Sequence, residues 1–423
     1  MEKQKRGRRL LILGNGFDLA HGLPTRYTDF LDFCNIIMSL DLGNEKIYLQ
    51  HKIKSLQGEI DRLKWNDFVK KSIKDTLQEN VKIVSDLWKL LNNNIWYVFF
   101  DTIRRFNGMG PNWIDFEKEI RNVIEFADRQ DIDLDERAED LLHCYNDQSE
   151  HKEYMYDVKE LYNSQNKRHL FGEYTEQFLK QSNQNKFNDI LKELTLRDLR
   201  KYWYQHLENF IEALNIYFAY FIDCVPSEDI KTSEKVAPII TGIEKIDPDY
   251  VINFNYTHTY EKLYAKPKPF YIHGECTKEI GKNNIVLGID QYWKTEEERQ
   301  EHVNYAIFKK YVQRIRKRTG NKHHEMLMKL ERPISLPNYK GAYFDQEIYV
   351  FGHSLDKTDK DILASFFNVE VAKKVDAKIT VFYHDKETEG ELIANMVSLI
   401  GEEKVLDKSE RSKLSFMELS ELR

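Results

Sequence analysis

The sequence predicts an α/β protein: a Rossmann-like parallel sheet of about six strands with a large helical insertion after the first strand. Three observations carry this reading. A short apolar run, Arg8 to Leu13, leads straight into the turn Gly14-Asn15-Gly16. From about Thr28 to Ile222 the pattern is mostly helical, rich in charges and aromatics and poor in proline. Beyond Pro226, short apolar runs alternate with polar turns: Tyr250 to Phe254, Pro269 to His273, Asn284 to Ile289, Glu347 to Gly352 and Lys378 to Tyr383. Single apolar runs bounded by turns and helices suit parallel strands that are covered on both faces. The corresponding division is 1–40 for the first strand and glycine loop, 41–245 for the insertion, and 246–423 for the rest of the sheet domain.

Within the insertion, Trp203, Leu207, Phe210, Leu214, Tyr217 and Phe221 are spaced by alternating fours and threes. That spacing puts one apolar stripe on a helix, to be packed inside the chain or between two chains. Asn163 to Asn188, rich in Asn, Gln, Lys and Ser, reads as a weakly structured connection. No internal repeat or low-complexity tract stands out.

The chain has 423 residues, with 63 Lys and Arg against 70 Asp and Glu, a formal net charge of -7. This balance argues against a chain that coats nucleic acid over its whole surface, though not against a local basic patch. No apolar run approaches the roughly 18 to 20 residues needed to span a bilayer. The basic N-terminus runs into a strand-like segment rather than a signal peptide. The expectation is a cytoplasmic protein with no membrane partner. Cys34, Cys144, Cys224 and Cys276 form no CxxC pair, so they read as reduced thiols, and no metal is expected.

A strand that ends in Gly-x-Gly lets the backbone approach a phosphate, and the following helix aims its N–H groups at the same anion. Gly14, Asn15 and Gly16 are therefore candidate binding residues. A dehydrogenase fingerprint wants the third glycine where this chain has Leu19; here it is Gly22, followed by Leu23 and Pro24. Proline cannot continue a helix interior, so the first helix should be a turn or two long. Asp18 has two readings: a carboxylate turned toward a ribose hydroxyl or Arg26, or an acid offsetting the helix dipole.

Asn255 and His273 follow apolar runs, and residues at the carboxyl ends of parallel strands face the ligand crevice of doubly wound sheets. An amide can orient a ribose or a water, and an imidazole can take a proton near neutral pH. The pair is thus the catalytic candidate. Asp359 and Asp361 stand where helix capping explains them. Asp115, Glu117 and Glu119 cluster at the start of a helix whose apolar face begins at Trp113; the dipole accounts for them, with Glu117 the one that could reach a site. Lys309, Lys310, Arg314, Arg316, Lys317 and Arg318, with Lys322, His323 and His324, read first as a solvated helix face and second as phosphate or nucleic-acid contacts.

The spacing Gly-x-Gly-x-x-x-x-x-Gly-Leu-Pro, from Gly14 to Pro24, resembles the cofactor loop of sirtuins. Asn255 matches the asparagine of their Gln-Asn-Ile-Asp segment, and His273-Gly274 matches their His-Gly. Tyr349-Val-Phe-Gly-His-Ser-Leu355 is similar to their Gly-x-Ser-Leu turn. Two positions depart, with Phe254 where sirtuins have glutamine and Thr257 where they have aspartate. More specifically, Asn15-Gly-Phe-Asp-Leu, Trp113-x-Asp-Phe-Glu, Asn255-Tyr-Thr, Ile272-His-Gly, Leu287-Gly-Ile-Asp and Gly352-His-Ser-Leu together resemble the AbiH family of phage-defence proteins.

These resemblances imply a sirtuin-like fold and NAD as the substrate, held by Gly14, Asn15, Gly16, Asp18, Gly22, Gly352, His353 and Ser354. They imply an NAD glycohydrolase acting in abortive infection, with Asn255 placing ribose and water and His273 as base. A homo-oligomer or a phage-derived trigger would be its partners. The zinc cysteines of a sirtuin deacylase are missing. Two alternatives stand: a sensor that binds NAD or ADP-ribose without turnover, and a nuclease or RNA-binding protein using the basic stretch.

Overall fold

The computed structural model describes residues 6–40, 49–106, 115–130, 137–146, 164–183, 193–264, 266–319, 322–335, 344–371 and 375–422. Its centre is one parallel six-stranded sheet built from β1 (Arg9–Leu13), β2 (Tyr250–Asn253), β3 (Phe270–Tyr271), β4 (Glu347–Phe351), β7 (Lys378–Tyr383) and β8 (Leu414–Glu418). A separate antiparallel ribbon joins β5 (Glu370–Val371) to β6 (Val375–Asp376). The sheet order is β3-β2-β1-β4-β7-β8. Counted over this sheet alone that is 3-2-1-4-5-6, the doubly wound order, and it reverses between β1 and β4.

Strand alternation divides the core. In β1, Leu10 and Ile12 point to one layer and Leu11 and Leu13 to the other, all fully buried. Ile348 and Val350 of β4, with Ile379 and Val381 of β7, join the first layer, where the helices Lys360–Phe367 and Lys386–Ile400 cover them. The second layer is continuous with the aromatic core of the insertion. There Phe116 stacks on Tyr27 and Phe100 at centroid distances of 4.1 and 4.4 Å. Buried polar tips are bonded, as low-dielectric surroundings require: Trp96 Nε1 donates to the Trp203 carbonyl, and Tyr217 Oη to the Pro24 carbonyl.

The helical stripe expected at 203–221 lies on the helix Leu196–Ile216 and its π-helical continuation Tyr217–Ile222. All six stripe residues are fully buried within the chain. Thr195 caps this helix by accepting from the Asp198 N–H.

Three expectations are corrected. Asn284 to Ile289 is no sheet strand; it makes a single bridge, Ile289 to Lys309. The Gln313 side chain binds both the N–H and the carbonyl of Leu287, supplying the pairing a neighbouring strand would have given. The sixth strand is instead Leu414–Glu418, an edge strand along β7 whose residues after Leu414 are only half-buried. Finally, much of Asn163 to Asn188 is a helix, Ser164–Asn183. Phe171 anchors it at 4.7 Å from Trp96 and 5.3 Å from Trp203, and tertiary packing of that kind overrides a polar composition. Trp113 lies outside the described residues. Among those described, no helix is long and apolar enough to cross a membrane.

At the switch point the loops after β1 and β4 meet backbone to backbone. The N–H groups of Gly14 and Gly16 donate to the carbonyls of Phe351 and Gly352, at 3.0 and 2.8 Å. A Cβ on Gly14 would lie 2.5 Å from His353 Cα, and one on Gly16 2.7 Å from Gly352 Cα. Gly352 itself has φ +69° and would put a Cβ 2.2 Å from the Phe17 nitrogen.

Gly352→Ala should therefore lose at least ~2 kcal/mol of stability, from left-handed strain and overpacking together. Gly58→Ala, in the helix Leu49–Arg62 with nothing within 4 Å of the added Cβ, should gain about 0.5–1 kcal/mol. Urea unfolding of the two variants checks the contrast, and equal effects would refute the contact argument.

Candidate functional site

Five titratable side chains converge beyond the carboxyl ends of β3 and β4. His273 stands two residues after β3, and His353 two residues after β4. Asp359 closes the 3-10 turn Lys357–Asp359. Lys310 opens the helix Lys310–Lys317, and Glu117 sits in the first turn of Phe116–Gln130, an insertion helix. Lys310 Nζ lies 2.7 Å from Glu117 Oε2 and 2.9 Å from Asp359 Oδ1. His273 Nε2 is 2.8 Å from the same Asp359 oxygen, and His353 Nε2 is 3.6 Å from the other. The Phe254 ring stands edge-on to both imidazoles, at 5.4 Å from His273 and 4.3 Å from His353.

The protonation pattern follows from this arrangement. Two buried carboxylates share one ammonium, so only one can be ionised cheaply. Burial alone would raise Asp359, but Lys310 and His273 outweigh it and hold that carboxyl well below the usual range. Glu117 has only Lys310 to offset burial and the nearby Asp359 and Asp115 charges, and its carboxyl is pushed up to about 8. Asp359 therefore carries the charge and Glu117 keeps its proton at neutral pH. Lys310, despite burial, is raised by its two acids and stays charged.

Burial lowers His273, which is neutral. With ionised Asp359 accepting at Nε2, the ring proton is on Nε2 and the lone pair on Nδ1. That Nδ1 is buried and has no hydrogen-bond partner. His353 accepts the Leu355 N–H at Nδ1, 2.9 Å, so its own proton also faces Asp359.

The other expected residues fall into two groups. Asn255 is buried, and its Nδ2 donates to the Gly14 carbonyl at 3.0 Å, so it braces the glycine turn. The first helix is Asn15–Ala20, six residues, as the proline spacing predicts. Asn15 is exposed and accepts from Thr25 Oγ1 at 2.6 Å. Gly22 has φ +78° and its carbonyl accepts from Asn66. Ser354 is exposed. Asp18 is buried and accepts from Thr257, the residue at the departed aspartate position. Burial pushes its carboxyl up to about 7, with Thr257 and Thr259 pulling the other way.

The basic stretch is largely engaged inside the chain. Lys309 and Lys310 are buried. Arg314 pairs with Asp361, Lys317 with Glu208 at 3.0 Å, and Arg316 lies over the Tyr204 ring. Lys310 and Asp359 were not singled out from the sequence as site residues, since one is hidden in a charge run and the other explained as a cap.

A family model described as "Bacteriophage abortive infection AbiH" matches residues 10–383, most of the chain and all five cluster residues. No curated protein and no solved structure matches.

The protonated Glu117 has a thermodynamic signature. Its folded value of about 8 lies above the ordinary 4.5, so between the two the folded chain holds a proton that the unfolded chain has released. Its contribution to stability is therefore lost as pH rises through that window. Glu117→Gln should remove this limb, so the variant gains on the wild type between about pH 5 and about pH 8. Lys310→Met, which leaves Asp359 buried without its ammonium, should cost about 3–5 kcal/mol at neutral pH. Urea unfolding across pH measures both; parallel profiles for wild type and Glu117→Gln would rule out the protonated state.

Proposed function

The chain belongs to the AbiH family of bacteriophage abortive infection proteins, and from that premise we propose that it is a hydrolase of NAD whose base is His273. The observation that carries this reading is the buried Nδ1 of His273, neutral and without a partner while Asp359 holds the other side of the ring. A carboxylate that fixes the tautomer of an imidazole and leaves its other nitrogen free to take a proton is the arrangement of a general base. Its position beyond the carboxyl end of a parallel strand, the end at which doubly wound folds bind ligands, supports the reading.

In the proposed reaction the glycosidic bond between nicotinamide and ribose breaks and nicotinamide leaves neutral with the bonding pair. The ribose carbon takes on oxocarbenium character and water adds to it. His273 Nδ1 accepts the proton that the water gives up, and the Asp359 carboxylate stabilises the imidazolium. The products are nicotinamide, ADP-ribose and a proton that His273 passes to solvent. Asn255 acts by holding the Gly14 carbonyl, which keeps the glycine turn in place for the pyrophosphate. The sirtuin-like match of the glycine turn, Asn255 and His273 supports NAD over other nucleotides. In phage defence, exhausting NAD would be the consequence.

A second reading, binding without turnover, is favoured by one observation: Lys310 already neutralises the cluster, so the site is self-paired as it stands. Nicotinamide release by the purified full chain separates the two. His273→Ala should lower release by about 10²–10⁴-fold while NAD affinity, measured by calorimetry, moves only a few-fold. Asn255→Ala should weaken both. Release that persists in His273→Ala would sink the hydrolase reading, and tight NAD binding with no release from wild type, with or without phage lysate, would favour the sensor.

A further inference from the structure

A second cluster shares no residue with the first. His258 Nδ1 lies 2.6 Å from Asp223 Oδ2, and Cys276 Sγ lies 3.1 Å from that oxygen and 3.8 Å from the same Nδ1. One donor atom from each of the three thus lies within 4.8 Å of the others. We propose that Asp223, His258 and Cys276 bind one zinc-class divalent cation, with its fourth position facing a cavity of about 520 Å³.

The donor set is that of a borderline-soft ion: one carboxylate oxygen, one imidazole nitrogen, one sulfur. Tetrahedral ligands at bond lengths of about 2.0–2.3 Å stand roughly 3.3–3.7 Å from each other. The Sγ edges already meet that spacing to within a few tenths of an ångström. Only the short Asp223–His258 edge must open, where a proton now does the joining. Metal binding would displace that proton and the thiol proton together.

A nucleophilic triad does not fit the same atoms. In such a triad the thiol and the carboxylate hold opposite ring nitrogens. Here both stand at Nδ1, while Nε2 goes to Glu275 Oε2 at 2.9 Å. A carboxylate on the far nitrogen is what orients a metal-bound histidine.

The backbone builds the site from three places. Asp223 follows the π-helical turn Tyr217–Ile222, and its N–H reaches back five residues to the Phe218 carbonyl. Its Oδ1 accepts the His258 N–H at 3.0 Å. His258 precedes the helix Thr259–Leu263, after β2, and Cys276 follows β3 with its N–H on the Tyr256 carbonyl. A cation there would tie the end of the insertion to two strand-end loops. The cavity beside it is partly open and includes Ala219, Thr277, Lys278 and Asn284, leaving room for a water or a small ligand on the metal.

The test is cobalt and zinc binding by full-length protein stripped with chelator. Cobalt should bind at one equivalent with a near-ultraviolet thiolate charge-transfer band and tetrahedral visible bands. Cys276→Ser should lose the thiolate band, and Glu275→Gln, which is partly exposed and leaves all three ligands, should weaken zinc binding about 10–100-fold. His324→Ala should change nothing, which separates this site from the adjacent histidines His323 and His324 of another helix. Absence of stoichiometric cobalt, a spectrum without the thiolate band, or zinc affinity equal in wild type, Cys276→Ser and Glu275→Gln would each overturn the assignment.

Discussion

The loops after β1 and β4 touch mainly through backbone, with Gly14 laid against Gly352 and His353 and Gly16 against Gly352. This contact decides what the glycines are for. The N–H groups of Gly14 and Gly16 are already spent on the Phe351 and Gly352 carbonyls, so part of the signal that suggests a phosphate cradle comes from the fold itself. It also aims the rest of the site. The chain turns through positive φ at Gly352 and again at Leu355, and between them His353 is thrown inward against Phe254. Asn255 then closes the arrangement by capping the Gly14 carbonyl. Were the two loops a single Cβ further apart, the geometry around Asp359 would have no reason to persist.

The charge cluster shows the cost of placing ionisable groups in that crevice. A lone buried carboxylate is several kcal/mol uphill, and a second one beside it is worse. The chain offsets Asp359 with an ammonium and two imidazoles, and lets Glu117 keep its proton. Such a network contributes little net stability by itself. What it does is hold one tautomer of His273, with Asp359 accepting at Nε2.

Much of the architecture was legible in the sequence because strand ends advertise themselves. Leu10 to Leu13 before Gly14, Val251 and Ile252 before Asn255, and Ile348 to Phe351 before Gly352 all pair apolar runs with turn residues, and each is a sheet strand. His273 was legible for the same reason. Lys310 was not, because the inward face of its helix is polar: Lys310, Gln313 and Lys317 follow i, i+3, i+7, a pattern that a search for apolar stripes passes over. Gln313 misled a second time by satisfying Leu287, which let a buried loop look like a strand. Leu414 to Glu418 failed to register since an edge strand needs only one buried face. Asp359 illustrates a general ambiguity, as a helix-start acid and an active-site acid have the same local sequence.

Of the cluster's members, Glu117 alone is carried by the insertion, while Lys310, Asp359 and both histidines belong to the sheet domain. The Glu117–Lys310 contact is thus a thermodynamic linkage between two bodies of sequence some 190 residues apart in the chain. Free-energy linkage runs in both directions with equal magnitude. Whatever displaces the helix Phe116–Gln130 takes a neutral acceptor away from Lys310 and lets Glu117 lose its proton to solvent, while Lys310 stays paired with Asp359. Whatever draws on Lys310 from the crevice changes, by the same amount, how firmly the insertion is held. The long helical segment is in that sense coupled to the cluster as well as being a scaffold, and what the coupling exchanges with solvent is the Glu117 proton.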